Sequence, residues 1–251
     1  MDINILQLAV FFVAGAGAGL LNALAGGGSF ITVPLLMFTG LEPTVANATN
    51  RLGVWLQSFF GYRKYDKIGY FPKKYCLAVA IPTALGAIVG AYLATVIADD
   101  AFKKYFAFFM VLMTLVAFFK PTAKEMKEDV TLSGKSLIVN YFIYFGIGVY
   151  SGFVQAGVGF MMVAASIVVG LDIVRAQAVK LFLNLVAATV SLGIFIYAGK
   201  VLFLPGLVLG AGMALGAVTA VSISVKVSQK FLKRFVTLMI FAFAVLLIVM
   251  K

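Results

Sequence analysis

Two clusters of amides, glycines and cations hold nearly all the chemistry that lies between the apolar runs of this chain. In the first, Asn22, Gly26, Gly27, Gly28 and Ser29 are followed by Asn47, Asn50 and Arg51. In the second, Gln155, Gly157 and Gly159 are followed by Gln177 and Lys180. Neutral hydrogen-bond donors, backbone N–H groups freed by glycine and one cation per cluster suit the binding of a small oxyanion. They do not suit covalent or metal chemistry. Histidine is absent, Cys76 is the sole cysteine, and no carboxylate sits in the middle of an apolar run. Without a nucleophile beside a base or a set of metal ligands, the residues point to no enzyme, no metal and no cofactor.

The clusters are copies of one element, about 130 residues apart. GAGAGLLNALAGGGS (Gly15 to Ser29) and GLEPTVANATNR (Gly40 to Arg51) correspond to GVYSGFVQAGVGF (Gly148 to Phe160) and GLDIVRAQAVK (Gly170 to Lys180). Asn22 then matches Gln155, Glu42 matches Asp172, and Asn47 matches Gln177. The turns at Ala25 to Ser29 and Ala156 to Phe160 admit two readings: an anion cradle at a helix start, or simple close packing of helices. Gly15/Gly19, Gly86/Gly90, Gly148/Gly152 and Gly212/Gly216 have the packing spacing. Three consecutive glycines exceed what packing needs, and no GK[ST] follows to make a phosphate loop. Helical spacing puts Asn47, Asn50 and Arg51 on one face with Gln57 and Ser58, and Gln177, Lys180 and Asn184 on another. Arg51 and Lys180 either contact an anion or snorkel to the membrane interface. Arg175 reads as an interface charge. Glu42 and Asp172 read as helix-start or interface acids rather than proton carriers.

Hydrophobic residues make up 63% of the 251, charged residues 12%, and mean hydropathy is +1.08, so the expected class is an all-α polytopic membrane protein. Long apolar runs cover roughly 3–24, 44–61, 74–97, 102–120, 135–154, 174–197, 204–224 and 231–250, giving about eight long transmembrane helices. The runs 29–39 and 158–170 are too short to cross a ~30 Å hydrocarbon core and read as two broken, re-entrant half-helices. Asp2 and the lack of a basic start make the first run a retained helix rather than a cleaved signal. The net charge of +11 sits in short loops, which fits membrane topology and argues against nucleic-acid binding.

The expected organisation is a first transmembrane repeat at 1–120, a polar linker at 121–134 and a second repeat at 135–251, each of about 125 residues. Pro72 and Leu85-Gly86-Ala87 match Pro205 and Leu215-Gly216-Ala217; Phe102-Lys103-Lys104 matches Phe231 to Arg234. Positive charge concentrates in loop 62–74 of the first half but in 225–234 of the second. That switch is the mark of inverted repeats, with a parallel duplication as the alternative. Helices interrupted at matching places in two halves predict a transporter binding site near the bilayer midplane.

On AGLLNALAGGGSFITVPLL (Ala18 to Leu36), GLEPTVANATNR, GVYSGFVQAGVGFMMV (Gly148 to Val163) and RAQAVKLFLN (Arg175 to Asn184), the chain resembles the TauE/SafE family of sulfite exporters. The resemblance covers nearly the whole chain. It implies a multi-pass permease of a bacterial or archaeal inner membrane, with a small sulfur-containing anion as substrate and the lipid bilayer as its surroundings. Val158 and Phe160 depart from the GGG-Ser pattern, so the first repeat is expected to supply more of the polar contacts and the second more of the apolar wall. A passive anion channel using the turns as a filter is the competing function. No residue pattern assigns an oligomeric state.

Overall fold

The structure, a computed structural model, describes residues 4–24, 26–118 and 129–226. Ala25, most of the polar linker and the last apolar run with its Phe231 to Arg234 entry lie outside the described residues. Among the described residues the chain is all-helical. The first half contains α1 (Ile5–Leu24), α2 (Ser29–Phe38), α3 (Pro43–Lys67), α4 (Lys73–Val96) and α5 (Asp99–Phe118). The second contains α6 (Gly134–Phe153), α7 (Val158–Val168), α8 (Ile173–Tyr197) and α9 (Phe203–Ser224). Lengths recur in order: 20, 10, 25 and 24 residues for α1 to α4 against 20, 11, 25 and 22 for α6 to α9.

Among the described residues five helices are long and apolar enough to cross a membrane: α1, α4, α6, α8 and α9. The difference from the eight expected runs has a residue-level cause. α3 is 25 residues long but carries Asn47, Asn50, Arg51 and Gln57 along a buried face. α5 opens with Asp99, Asp100, Lys103 and Lys104, and the side chains of its last residues lie outside those described. The eighth run falls outside the described residues.

The halves interlock rather than sit side by side. α1 packs on α9, and α6 packs on α4; α3 and α8 form the centre. Small residues let these pairs approach backbone to backbone. Gly15 lies against Leu209 and Gly19 against Met213, so α1 and α9 run in the same direction. Gly148 against Thr83 and Gly152 against Ala87 make α6 parallel to α4, and Gly53 against Gly210 with Gly61 against Ala217 makes α3 parallel to α9. α8 opposes α3: Arg51 lies over Phe195, Trp55 donates to Thr189, and Gly61 meets Leu181.

Local chemistry sets the helix ends. Asp172 caps α8, its Oδ1 accepting from Val174 N at 2.8 Å and Arg175 N at 3.0 Å, as the sequence leads one to expect. Its partner Glu42 occupies the matching position of α3 without a side-chain cap. There the orphan N–H of Thr44 bonds instead to Asp99 Oδ1 at the start of α5, 2.8 Å away. The end of α3 and the starts of α4, α6 and α8 share one side, which bears Arg63, Lys64, Lys67, Lys73, Lys74, Lys135 and Arg175. The opposite side, with Glu42, Asp99, Asp100, Lys103, Lys104 and Lys200, is balanced.

Candidate functional site

Two interruptions lie inside this bundle. α1 stops at Leu24 and α2 restarts at Ser29; α6 stops at Phe153 and α7 restarts at Val158. At ~1.5 Å per residue, α2 and α7 reach about half of a ~30 Å core. The interruptions meet. A Cβ added to Gly159 would fall 2.7 Å from Gly26 Cα, and one added to Gly26 would lie 3.0 Å from Gly159 Cα. Only glycine at both positions permits this approach, and φ of +100° at Gly26 is itself a glycine conformation. Phe30 and Phe160 flank the contact, their ring centroids 6.4 Å apart.

All thirteen residues expected at the site are buried. Arg51 and Lys180 do not snorkel: both are 0% exposed. Each caps the broken helix of the opposite half. Arg51 donates through Nη1 to Ser151 O and through Nη2 to Gly152 O, the latter at 2.7 Å, while Asn47 Nδ2 donates to Phe153 O at 2.9 Å. Lys180 Nζ donates to Asn22 O at 2.6 Å, to Ala23 O at 2.7 Å and to Gln177 Oε1; Gln177 Nε2 in turn donates to Leu24 O. The last carbonyls of a helix lack intrahelical partners, and in an apolar interior each unpaired group is costly. A cation at that end also offsets the negative end of the helix dipole.

The helix starts are treated differently. Neither Gly28, before α2, nor Gly157, before α7, provides a side-chain cap. Gly27 and Gly28 carbonyls accept from Phe30 N and Ile31 N, each at 3.0 Å. Asn50 joins Ser29 and Thr32 across to α3, with Nδ2 donating to Ser29 Oγ at 3.2 Å and Oδ1 accepting from Thr32 Oγ1 at 2.6 Å. At the second turn Gln155 holds φ of +66°, a conformation rare for a side-chain-bearing residue, and both its amide atoms are buried without a partner. Asn47 Oδ1, Arg51 Nε and Ser151 Oγ are also buried and unpartnered. Unpartnered atoms thus gather around the second break, while Lys180, Gln177, Ser29 and Asn50 around the first are engaged.

The site thus comprises three groups: the Gly26–Gly159 contact with Lys180 beside it, the Ser29–Asn50–Thr32 chain, and the Asn47–Arg51 clasp near Gln155. Thr32, Ser151 and Tyr150, whose hydroxyl donates to Ala156 O, complete it and were not legible from residue type. Ser151 and Ala156 enter these bonds through their carbonyls, and any residue carries a carbonyl.

Long apolar helices broken within their own bundle, with buried cations holding the broken ends, define a multi-pass integral membrane protein with an internal polar site. The sequence pattern of the sulfite exporter TauE/SafE family matches residues 11–247. A probable membrane transporter protein of a Sinorhizobium species is 29% identical over 98% of this chain and 94% of its own length. One from Haemophilus influenzae is 31% identical, covering 86% and 85%, and the Escherichia coli K12 probable membrane transporter YfcA is 28% identical, covering 84% and 78%. No solved structure matches. The chain belongs to the sulfite exporter TauE/SafE family and is a membrane transporter, not an enzyme.

Proposed function

We propose that the chain is a secondary transporter of a small anion, sulfite or an organosulfonate, working by alternating access between two inverted repeats. The repeats are 1–120 and 135–251, joined by the linker 121–134, with about eight crossings in all. Helix direction supports the inversion: α1, α3 and α9 run one way, and α6, α8 and α4, which match α1, α3 and α9 or pack on them, run the other. The basic side is then the cytoplasmic one.

The anion reading is carried by one observation. Within the bundle both broken C-terminal ends are neutralised by a cation of the opposite half, while both N-terminal ends carry no side-chain cap and meet at Gly26 and Gly159. Each such start is worth roughly half a positive charge, in a dry setting where that charge is poorly screened. A small oxyanion placed there gains both dipoles, the unpartnered donors of Gln155 and Arg51, and the field of Lys180. The cations therefore contribute mainly by freeing the site of negative helix ends. Outward movement of one negative charge gains about 2.3 kcal/mol per 100 mV of interior-negative potential.

A thermal-shift screen of purified protein against sulfite, thiosulfate, sulfoacetate, taurine and chloride tests this. Binding at about 100 times Kd stabilises by roughly 2.7 kcal/mol, a rise of several degrees in Tm. The expected result is such a rise for one sulfur oxyanion class, lost in Gly27→Leu and Asn22→Leu. An equal response to every anion, or a full response in both variants, overturns the reading.

A further inference from the structure

Ten buried side-chain atoms among the described residues lack a hydrogen-bond partner, and all belong to α3, α8, the end of α6 or the second glycine turn. Those of Gln155, Asn47, Arg51 and Ser151 are part of the site above. Both amide atoms of Gln57, Ser58 Oγ, Asn184 Oδ1 and Ser191 Oγ are not. These four residues are at most 1% exposed. Gln57 and Ser58 share the α3 face of Asn50 and Arg51; Asn184 and Ser191 share the α8 face of Gln177 and Lys180. The two faces lie on helices that pack directly against each other.

Register locates them relative to each other. The antiparallel pairs Arg51–Phe195, Trp55–Thr189 and Gly61–Leu181 bring Gln57 level with the Asn184 to Ala188 turn. The correspondence that matches Asn47 to Gln177 matches Gln57 to Ala187. A residue level with its own counterpart stands at the midpoint of the two halves. Ala187 offers no polar group, so this position is one-sided.

A buried primary amide with neither donor nor acceptor engaged is costly unless a guest supplies the bonds. We infer that Gln57, with Ser58, Asn184 and Ser191 beside it, is the specificity-determining wall of the transport site, binding the small oxyanion through neutral hydrogen bonds. Gln57 Nε2 donates to an anion oxygen, and Oε1 accepts from a hydroxyl or water that travels with it. Uncharged contacts hold the anion without trapping it, as a carrier's site must. This rests on the anion-transport reading above.

The test uses proteoliposome counterflow of labelled sulfite and sulfoacetate, with wild type, Gln57→Leu, Gln57→Asn and Ser58→Ala, and Tm of each protein in detergent. Gln57→Leu is expected to raise KM for sulfite at least tenfold at unchanged or higher Tm, since it removes two unpaired polar atoms. Gln57→Asn should recover part of that affinity and change the sulfite-to-sulfoacetate preference. Wild-type KM in Gln57→Leu overturns the inference and leaves the transport reading intact. Absence of saturable flux in the wild type, for both anions, overturns the transport reading and the inference with it. Should Gln57→Leu melt lower, Ser58→Ala decides: a raised KM at native Tm supports the wall, and an unchanged KM overturns it.

Discussion

At the first break Lys180 directs its ammonium group at three acceptors, Gln177 engages both ends of its amide, and Asn50 ties Ser29 to Thr32. At the second, Arg51 leaves Nε unpaired, Asn47 leaves Oδ1 unpaired, and Gln155 pairs neither end while holding a left-handed backbone. At the first break Lys180, Gln177, Ser29 and Asn50 are thus engaged, whereas the second leaves atoms of Gln155, Asn47, Arg51 and Ser151 unpaired. Buried polar groups cost stability when unpaired, so a chain retains them where a guest completes them. The comparison puts more of the unpaired polar capacity at the second break.

The comparison breaks most visibly at the contact between them. Gly159→Val puts a branched side chain where even a Cβ lies 2.7 Å from Gly26 Cα and 2.9 Å from Lys180 Cδ. Transport should fall roughly hundredfold in a flux assay, because misplacement of about 1 Å suffices for that. Overpacking should also cost about 1–3 kcal/mol in a melting experiment.

Next in size is removal of the clasps. Lys180→Met leaves two α1 carbonyls and the Gln177 oxygen without their donor, at about 1–3 kcal/mol for each buried group left unsatisfied. Arg51→Met releases two α6 carbonyls and should cost less. Comparing the two Tm values orders the breaks by saturation. Smaller, and opposite in sign, is the pair Gln177→Leu and Gln155→Gly. The first should lower stability by about 1–3 kcal/mol. The second relieves a left-handed non-glycine residue and should raise it by roughly 1 kcal/mol while reducing sulfite transport. Ser29→Ala removes one long bond, leaving Asn50 Nδ2 without its acceptor, and should cost least, about 1 kcal/mol, with transport near wild type.

The duplicated glycine element, the half-helices and the buried polar faces of α3 and α8 were legible in the sequence because each follows from residue type and helical spacing. That the turns would meet followed from the switch in loop charge. The destination of the cations was not legible. Arg51 and Lys180 end on carbonyls 100 and 158 residues away in the chain, and no side-chain pattern marks a carbonyl. Which polar side chains would already be engaged was not legible for the same reason. Ser29 is a better hydrogen-bonding residue than Phe160, but Asn50 already engages it. The one-sided midpoint at Gln57 emerged only from the antiparallel register of α3 and α8.

Counterflow of labelled sulfite in proteoliposomes carrying Gln155→Leu or Ser29→Ala tests the open second break most directly. Leucine keeps the volume and the backbone strain of Gln155 and removes only its two unpaired atoms. A loss of roughly tenfold or more in Gln155→Leu, beside near-native flux in Ser29→Ala, is the predicted result. Near-native flux in Gln155→Leu with loss in Ser29→Ala would contradict it.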